Sequence, residues 1–183
     1  EFDIRTDVTF HNGNKLTPED IEYTLEQRVL NADPKSTRLS NFKWVTDVEV
    51  VDEDTVRFHS AEPFPTALEV LNTFYVMDKE WSEENEFQYI QEHAMGSGPY
   101  QWIEWNKGSS IVLKRNPNYW MKDVPPIENV TIRVVPEPAT RLAGLFAGEF
   151  DFVMNLQTDQ LPGFDGRNDV DVVETPIIRV DFW

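Results

Sequence analysis

Cysteine is absent from this sequence, which removes disulfide frameworks, thiolate zinc sites and cysteine nucleophiles together. Long apolar runs are missing as well. No stretch approaches the roughly 18–20 residues that span a bilayer as a helix, and the opening Glu1-Phe2-Asp3-Ile4-Arg5 has no signal-peptide character. Positive charge is scarce. Sixteen Lys and Arg stand against 33 Asp and Glu, a formal net charge of −17 at pH 7, so the mean surface potential repels phosphate backbones and anionic headgroups. Nucleic acid is excluded as an expected partner. Three histidines, His11, His59 and His93, lie far apart without metal-ligand spacing. No Gly-x-Ser-x-Gly elbow is present, and the acid runs Asp52-Glu53-Asp54 and Glu83-Glu84 occupy turn or cap positions, where solvent denies them the raised pKa of general acids. The expectation is a protein that is not an enzyme and carries neither cofactor nor metal.

What is present suffices for a fold. The chain has 183 residues, 40% hydrophobic and 13% aromatic, too much apolar material for a disordered segment and enough for one domain or two small ones. Phe2, Ile4, Val8 and Phe10 alternate with polar residues as in a half-buried strand, and His11-Asn12-Gly13-Asn14 turns it. Thr17-Pro18-Glu19-Asp20 reads as a helix start, a hydroxyl N-cap followed by proline and acids. Ile21, Leu25 and Val29 then carry the helix to about Leu30. Residues 45–51 and 55–59 form a hairpin; a short helix lies within 63–75, and another within 82–92 is capped at Ser82. A second hairpin joins 100–105 to 110–115, a strand follows at 130–135, and a helix at 139–147 stops at Gly148. Short strands at 150–153, 170–173 and 178–183 complete the pattern, the last cut off without a polar tail.

Gly96-Ser97-Gly98-Pro99-Tyr100 marks a change of organisation, dividing the chain into 1–95 and 96–183. It is no phosphate loop, because no Lys-Ser/Thr follows and the next element is a strand. Trp102, Trp105, Tyr119 and Trp120 read as cross-strand packing, with Asn116-Pro117-Asn118 turning the last two back onto the hairpin.

Taken in order, several of these pieces resemble the peptide- and nickel-type extracellular solute-binding proteins of ABC importers, family 5. The resemblance rests on Val8-Thr9-Phe10-His11-Asn12-Gly13 with Leu16-Thr17-Pro18-Glu19-Asp20-Ile21, then on Val48-Glu49-Val50-Val51-Asp52 with Thr55-Val56-Arg57-Phe58. It continues through Gly96-Ser97-Gly98-Pro99-Tyr100, Leu113 to Trp120, and Pro138-Ala139-Thr140-Arg141-Leu142 up to Asp151; Ser97 replaces the usual threonine.

The resemblance implies a mixed α/β, α+β architecture, part of a type II periplasmic-binding-protein fold with two β-containing subdomains and flanking helices. Residues 1–95 would be a small subdomain and 96–183 part of the main first-lobe domain. It further implies a receptor, monomeric at full length, that closes on a small polar, peptide-like solute and delivers it to a membrane permease, outside the cytoplasm. The same fold behind a DNA-binding domain would make a ligand-sensing regulator, the alternative reading. In the family, the segments equivalent to Arg38–Phe42 and Asn72–Tyr75 approach the cleft, which makes Arg38, Phe42, Asn72, Thr73, Phe74 and Tyr75 candidate contacts. Arg38 would pair with an acidic group, the aromatics would pack on apolar ligand surface, and Trp183, ending a strand aimed at the cleft, joins them.

Overall fold

A computed structural model describes residues 1–30, 41–122, 124 and 126–174, with Arg28 seen by its backbone alone. The chain divides into two compact units, Glu1–Arg133 and Val134–Trp183. The change of organisation read at 95/96 falls between two sheets of the first unit.

The first sheet is antiparallel, in the order β1-β3-β2, from β1 (Phe2–Asp3), β2 (Val45–Val50) and β3 (Thr55–Ser60). Its hairpin registers Val48 on Phe58 and Val50 on Val56, with a bulge between Val45 and Asp47. The alternation read over residues 2–10 yields only the two residues of β1. Beyond it the chain makes an isolated bridge from Thr9 to Lys15 around a turn in which Gly13 takes φ 98°, a conformation that costs glycine nothing.

Helix α1 (Pro18–Tyr23) starts as its residues dictate, with Thr17 extended at φ −126°, ψ 162° and proline in the first turn. The reach-back comes from Asp20, whose Oδ2 accepts the Thr17 N–H at 2.8 Å and the Thr17 hydroxyl at 3.0 Å. The α-helix expected to run to Leu30 changes at Thr24 into a π-helix, Thr24–Leu30. The Thr24 hydroxyl donates to the Asp20 carbonyl at 2.6 Å while accepting the Met77 N–H at 2.8 Å. A side chain bonded to the i−4 carbonyl shares that acceptor with the backbone and tends to bend a helix. The helix and sheet enclose the core of Leu25, Val29, Phe42, Val45 and Val48, against which Leu71 and Phe74 pack. Trp44 stacks on Phe64 at 5.1 Å.

Helix α2 (Ala67–Leu71) lies within the stretch expected to hold a short helix. The single helix read over 82–92 is in fact two, α3 (Lys79–Glu84) and α4 (Phe87–Glu92), and the cap of α3 is Asp78, not Ser82. Asp78 accepts the Trp81 N–H at 3.0 Å, and Asn85, extended at φ −117°, ψ 142°, breaks the continuity.

The second sheet, β4-β5-β6, is formed by β4 (Tyr100–Asn106), β5 (Ser110–Arg115) and β6 (Asn129–Arg133), all antiparallel. Its register aligns Trp102, Leu113 and Val130 in one row and Trp105, Ile111 and Ile132 in the next, so one face is apolar. That face is poorly covered: Trp105 is 40% and Ile132 49% exposed. Among the described residues after 95, only Asn116 and Gly144 are buried.

The second unit contains α5 (Pro138–Phe146), closed by Gly148 at φ 74°, and a 3₁₀-helix, Thr158–Phe164. Residues 150–153 and 170–173, read as strands, are irregular. Among the described residues they have no strand beside them, and an extended segment without a ladder partner is not a strand. The strand read at 178–183 lies outside the described residues. No described helix is long and apolar enough to cross a membrane.

Candidate functional site

The turn leaving α2 carries four of the seven candidate residues. Its backbone winds down in successive bonds: Asn72 N–H to the Leu68 carbonyl at 3.2 Å, Thr73 N–H to Val70 at 2.9 Å, Phe74 N–H to Leu71 at 3.0 Å. The Thr73 hydroxyl also donates to the Val70 carbonyl at 2.8 Å. Asn72 and Thr73 are exposed, Phe74 is half-buried, and Tyr75 projects at 76% exposure. Phe42 sits in the core at 2% exposure, its ring 5.5 Å from that of Phe74 and tilted by 55°. Phe42 and Phe74, one from each segment singled out in the sequence, therefore meet in an aromatic contact. Arg38 and Trp183 lie outside the described residues.

This edge offers an exposed amide, hydroxyl and phenol over a packed aromatic base, groups that bind by hydrogen bonds and apolar contact. Its chemistry holds no nucleophile paired with a base. The perturbed acids are elsewhere. Glu49, on β2, is held below its ordinary pKa first by the hydrogen bond from His59 at 3.0 Å and then by Arg57 at 2.8 Å. Glu22, on α1, is pushed up by burial and then by the neighbouring charge of Glu26. Among the described residues no three His, Asp or Glu side chains gather to hold a metal ion.

Two concave surfaces are notable, and neither includes Phe42 or residues 72–75. Within the second unit an open groove of about 1510 Å³ is lined by Phe146, Phe150, Phe152, Met154 and Val172, together with Asp151 and Asp169. In the first unit a polar hollow of about 470 Å³ is bounded by Asn14, Asp78, Lys79 and Glu83.

That hollow is backed by a polar knot that reading along the chain did not disclose. Asp78 is 1% exposed, and its Oδ2 accepts Asn12 Nδ2 at 2.7 Å and Asn14 Nδ2 at 3.0 Å. Asp20, 5% exposed, accepts the Lys79 N–H at 2.8 Å through Oδ1. The first turn, α1 and α3 are thus tied together by two buried carboxylates. His11-Asn12-Gly13-Asn14 had announced a turn, but its amide partner lies more than sixty residues away along the chain, where local pattern gives no signal.

Comparison with known proteins bears on the family and the fold. The model of the bacterial extracellular solute-binding proteins, family 5 Middle, matches residues 1–183. The probable D,D-dipeptide-binding periplasmic protein DdpA of Escherichia coli (strain K12) is 26% identical, covering 99% of this chain and 36% of its own length. The glutathione-binding protein GsiB of Salmonella typhimurium is 27% identical over 96% of this chain and 34% of its own. Among solved structures, NikZ from Campylobacter jejuni in complex with Ni(L-His) superposes with a TM-score of 0.81 at 24% identity, covering 91% of this chain and 33% of that one. The oligopeptide-binding protein AppA from Bacillus subtilis, in complex with a nonapeptide, gives 0.77 at 25%, covering 91% and 34%. The chain spans about a third of the length of these relatives. Its mixed helices and sheets are part of a type II periplasmic-binding-protein fold. With the family model matching from the first residue to the last, this chain belongs to the bacterial extracellular solute-binding proteins of family 5.

Proposed function

We propose that the full-length protein is the receptor of an ABC importer, exported from the cytoplasm, that encloses an oligopeptide or similar small polar solute between two lobes and hands it to a membrane permease. The observation that carries this reading is the family match over residues 1–183. It is supported by relatives named for binding D,D-dipeptides and glutathione, and by solved structures holding a nonapeptide or a nickel–histidine chelate. None of the relatives named above is a regulator, so the sensing alternative gains nothing from them. Lobe closure works because the ligand touches both walls only in the closed form, which shifts the population towards that form.

Within the chain, the proposed ligand-facing surface is the edge after α2, where Asn72, Thr73 and Tyr75 are exposed and Phe42 and Phe74 support them. The experiment is thermal denaturation of the full-length protein with short peptides, glutathione and a nickel–histidine chelate. A ligand at a hundred times its Kd adds about 2.7 kcal/mol of stability, a readily measured rise in Tm. A well-folded full-length protein that responds to none of these compounds contradicts the proposal. Tyr75→Ala, an exposed position that leaves the fold intact, is expected to weaken the response by about tenfold in Kd if its ring packs on the solute.

A further inference from the structure

The chain passes from the first sheet to the second along Gly96-Ser97-Gly98-Pro99, and this crossing is gripped from both sides. From the first turn, the His11 backbone N–H donates to the Gly96 carbonyl at 2.8 Å, and His11 Nε2 lies 3.0 Å from the Gly98 carbonyl. From the end of β5, Asn116 Nδ2 donates to the same Gly98 carbonyl at 3.1 Å, and the Asn116 backbone N–H donates to the Pro99 carbonyl at 2.8 Å. A carbonyl only accepts, so the His11 ring carries its proton on Nε2 in this arrangement. The other ring nitrogen, Nδ1, is buried without a partner. Asn116 is 4% exposed, and its Oδ1 is occupied by the Asn118 N–H at 2.9 Å. Arg5, between β1 and the first turn, sets its guanidinium 4.2 Å from the centre of the Trp120 ring, a second tie between the same two regions.

Composition alone makes the crossing look pliable. Neither Gly96 nor Gly98 has a positive φ. A Cβ on Gly98 would meet nothing within 4 Å, and one on Gly96 only the His11 ring at 3.9 Å. Steric need therefore does not account for the two glycines, and two unencumbered glycines are what a hinge would use. The hydrogen bonds reverse that expectation, because a hinge turns only if its φ and ψ can change without losing partners. Rotation at Gly96 or Gly98 would strand carbonyls that are now bonded, one of them twice.

We infer that this crossing is a latched joint, in which His11 and Asn116 lock the two sheets of residues 1–133 into one body, so that movement of the lobes pivots elsewhere. The inference rests on the fold and not on the identity of the solute. It is tested on the full-length protein, with any cysteine elsewhere changed to serine, by spin labels at Glu53→Cys and Ser109→Cys, exposed turn positions of the two hairpins. Double electron–electron resonance is expected to give a single narrow distance distribution. Asn116→Asp, which keeps the acceptor for Asn118 but loses the donor to Gly98, is expected to broaden it, and His11→Ala to broaden it further, while His11→Gln, which retains a donor, stays closer to the parent. Hydrogen exchange at the His11 and Asn116 amides should accelerate about fivefold in Asn116→Asp. A broad or two-peaked distribution in the parent overturns the joint outright, and does so even if the variants fail to fold. A folded Asn116→Asp/His11→Ala protein with the parent's width and exchange rates overturns it equally.

Discussion

At the scale of single residues, the buried carboxylates govern the first unit more than any exposed charge does. Asp78 accepts from Asn12, Asn14 and the Trp81 backbone with almost no solvent contact. Asp78→Ala would strand the Asn12 and Trp81 donors, leave Asn14 only its bond to Glu80, and remove a helix cap, a loss of about 3 kcal/mol, seen as a lower urea midpoint with an unchanged m-value. Asp78→Asn can keep the bond to Trp81 but turns an amide N–H₂ towards the two asparagines, so its loss should fall between parent and Ala. Gly144 is a second sensitive position. Its backbone is ordinary helix, but a Cβ there would lie inside the edge of the Phe150 ring, and the ring has to move for the side chain to enter. Gly144→Ala, favourable by helix propensity alone, is expected instead to cost about 1–3 kcal/mol, and Phe150→Leu combined with it should recover part of that. A stabilised Gly144→Ala protein on thermal melting would show that the helix and the following turn are looser than described.

At the scale of elements, the charge on α1 gives a pH-dependent test. Burial, then Glu26, raises the Glu22 carboxyl above its ordinary value of 4.5, so the folded state holds that proton more tightly than the unfolded state. Stability contributed by this group therefore rises as pH falls from neutral through the raised folded value and levels off below about 4.5. Glu22→Gln is accordingly expected to be more stable than the parent at pH 7, with the difference closing as pH falls and gone below the unfolded value; equal urea midpoints at pH 7 would contradict it. The same helix shows how far local pattern reaches. Thr17-Pro18 and the spacing of Ile21, Leu25 and Val29 located its start and its buried face, because caps and periodicity act within one or two turns. At Thr24, where the helix changes to a π-helix, the partner is Met77, 53 positions away in sequence. Both hairpins were legible for the same local reason. The break at Asn85, the cap at Asp78 and the absence of ladders at 150–153 and 170–173 follow from contacts, or missing neighbours, that no short window contains. At the candidate edge the sequence identified Asn72 to Tyr75 only through resemblance, and the depth of Phe42 became visible once Phe74 was seen against it.

At the scale of the whole molecule, the two sheets differ in how well they are covered. The first contributes Val45, Val48 and Val56 to a core that includes Leu25 at 0% exposure, and the buried apolar side chains among the described residues all lie between Val8 and Val56. The second presents Trp105, Ile111, Leu113 and Ile132 on one face, and among the described residues after 95 no apolar side chain of that sheet is buried; separately, the second unit leaves Phe152 at 78% and Met154 at 64% exposure. Exposed apolar faces of this kind are seldom left to water. Self-association is opposed by the net charge of −17, which favours cover from further polypeptide of the same protein, as a chain one-third the length of its relatives would allow. If so, residues 1–183 prepared alone should bind a hydrophobic dye such as ANS strongly and exchange the β4–β6 amides faster than those of β2 and β3, while the full-length protein binds little dye and protects both sheets alike. Under the proposed closure of two lobes, the isolated chain should also give no heat with peptides that stabilise the full-length protein, because it would supply only one wall of the cleft. Micromolar binding by 1–183 alone, measured by calorimetry, would mean that this chain builds a complete site by itself and that closure of two lobes is not how it captures its solute.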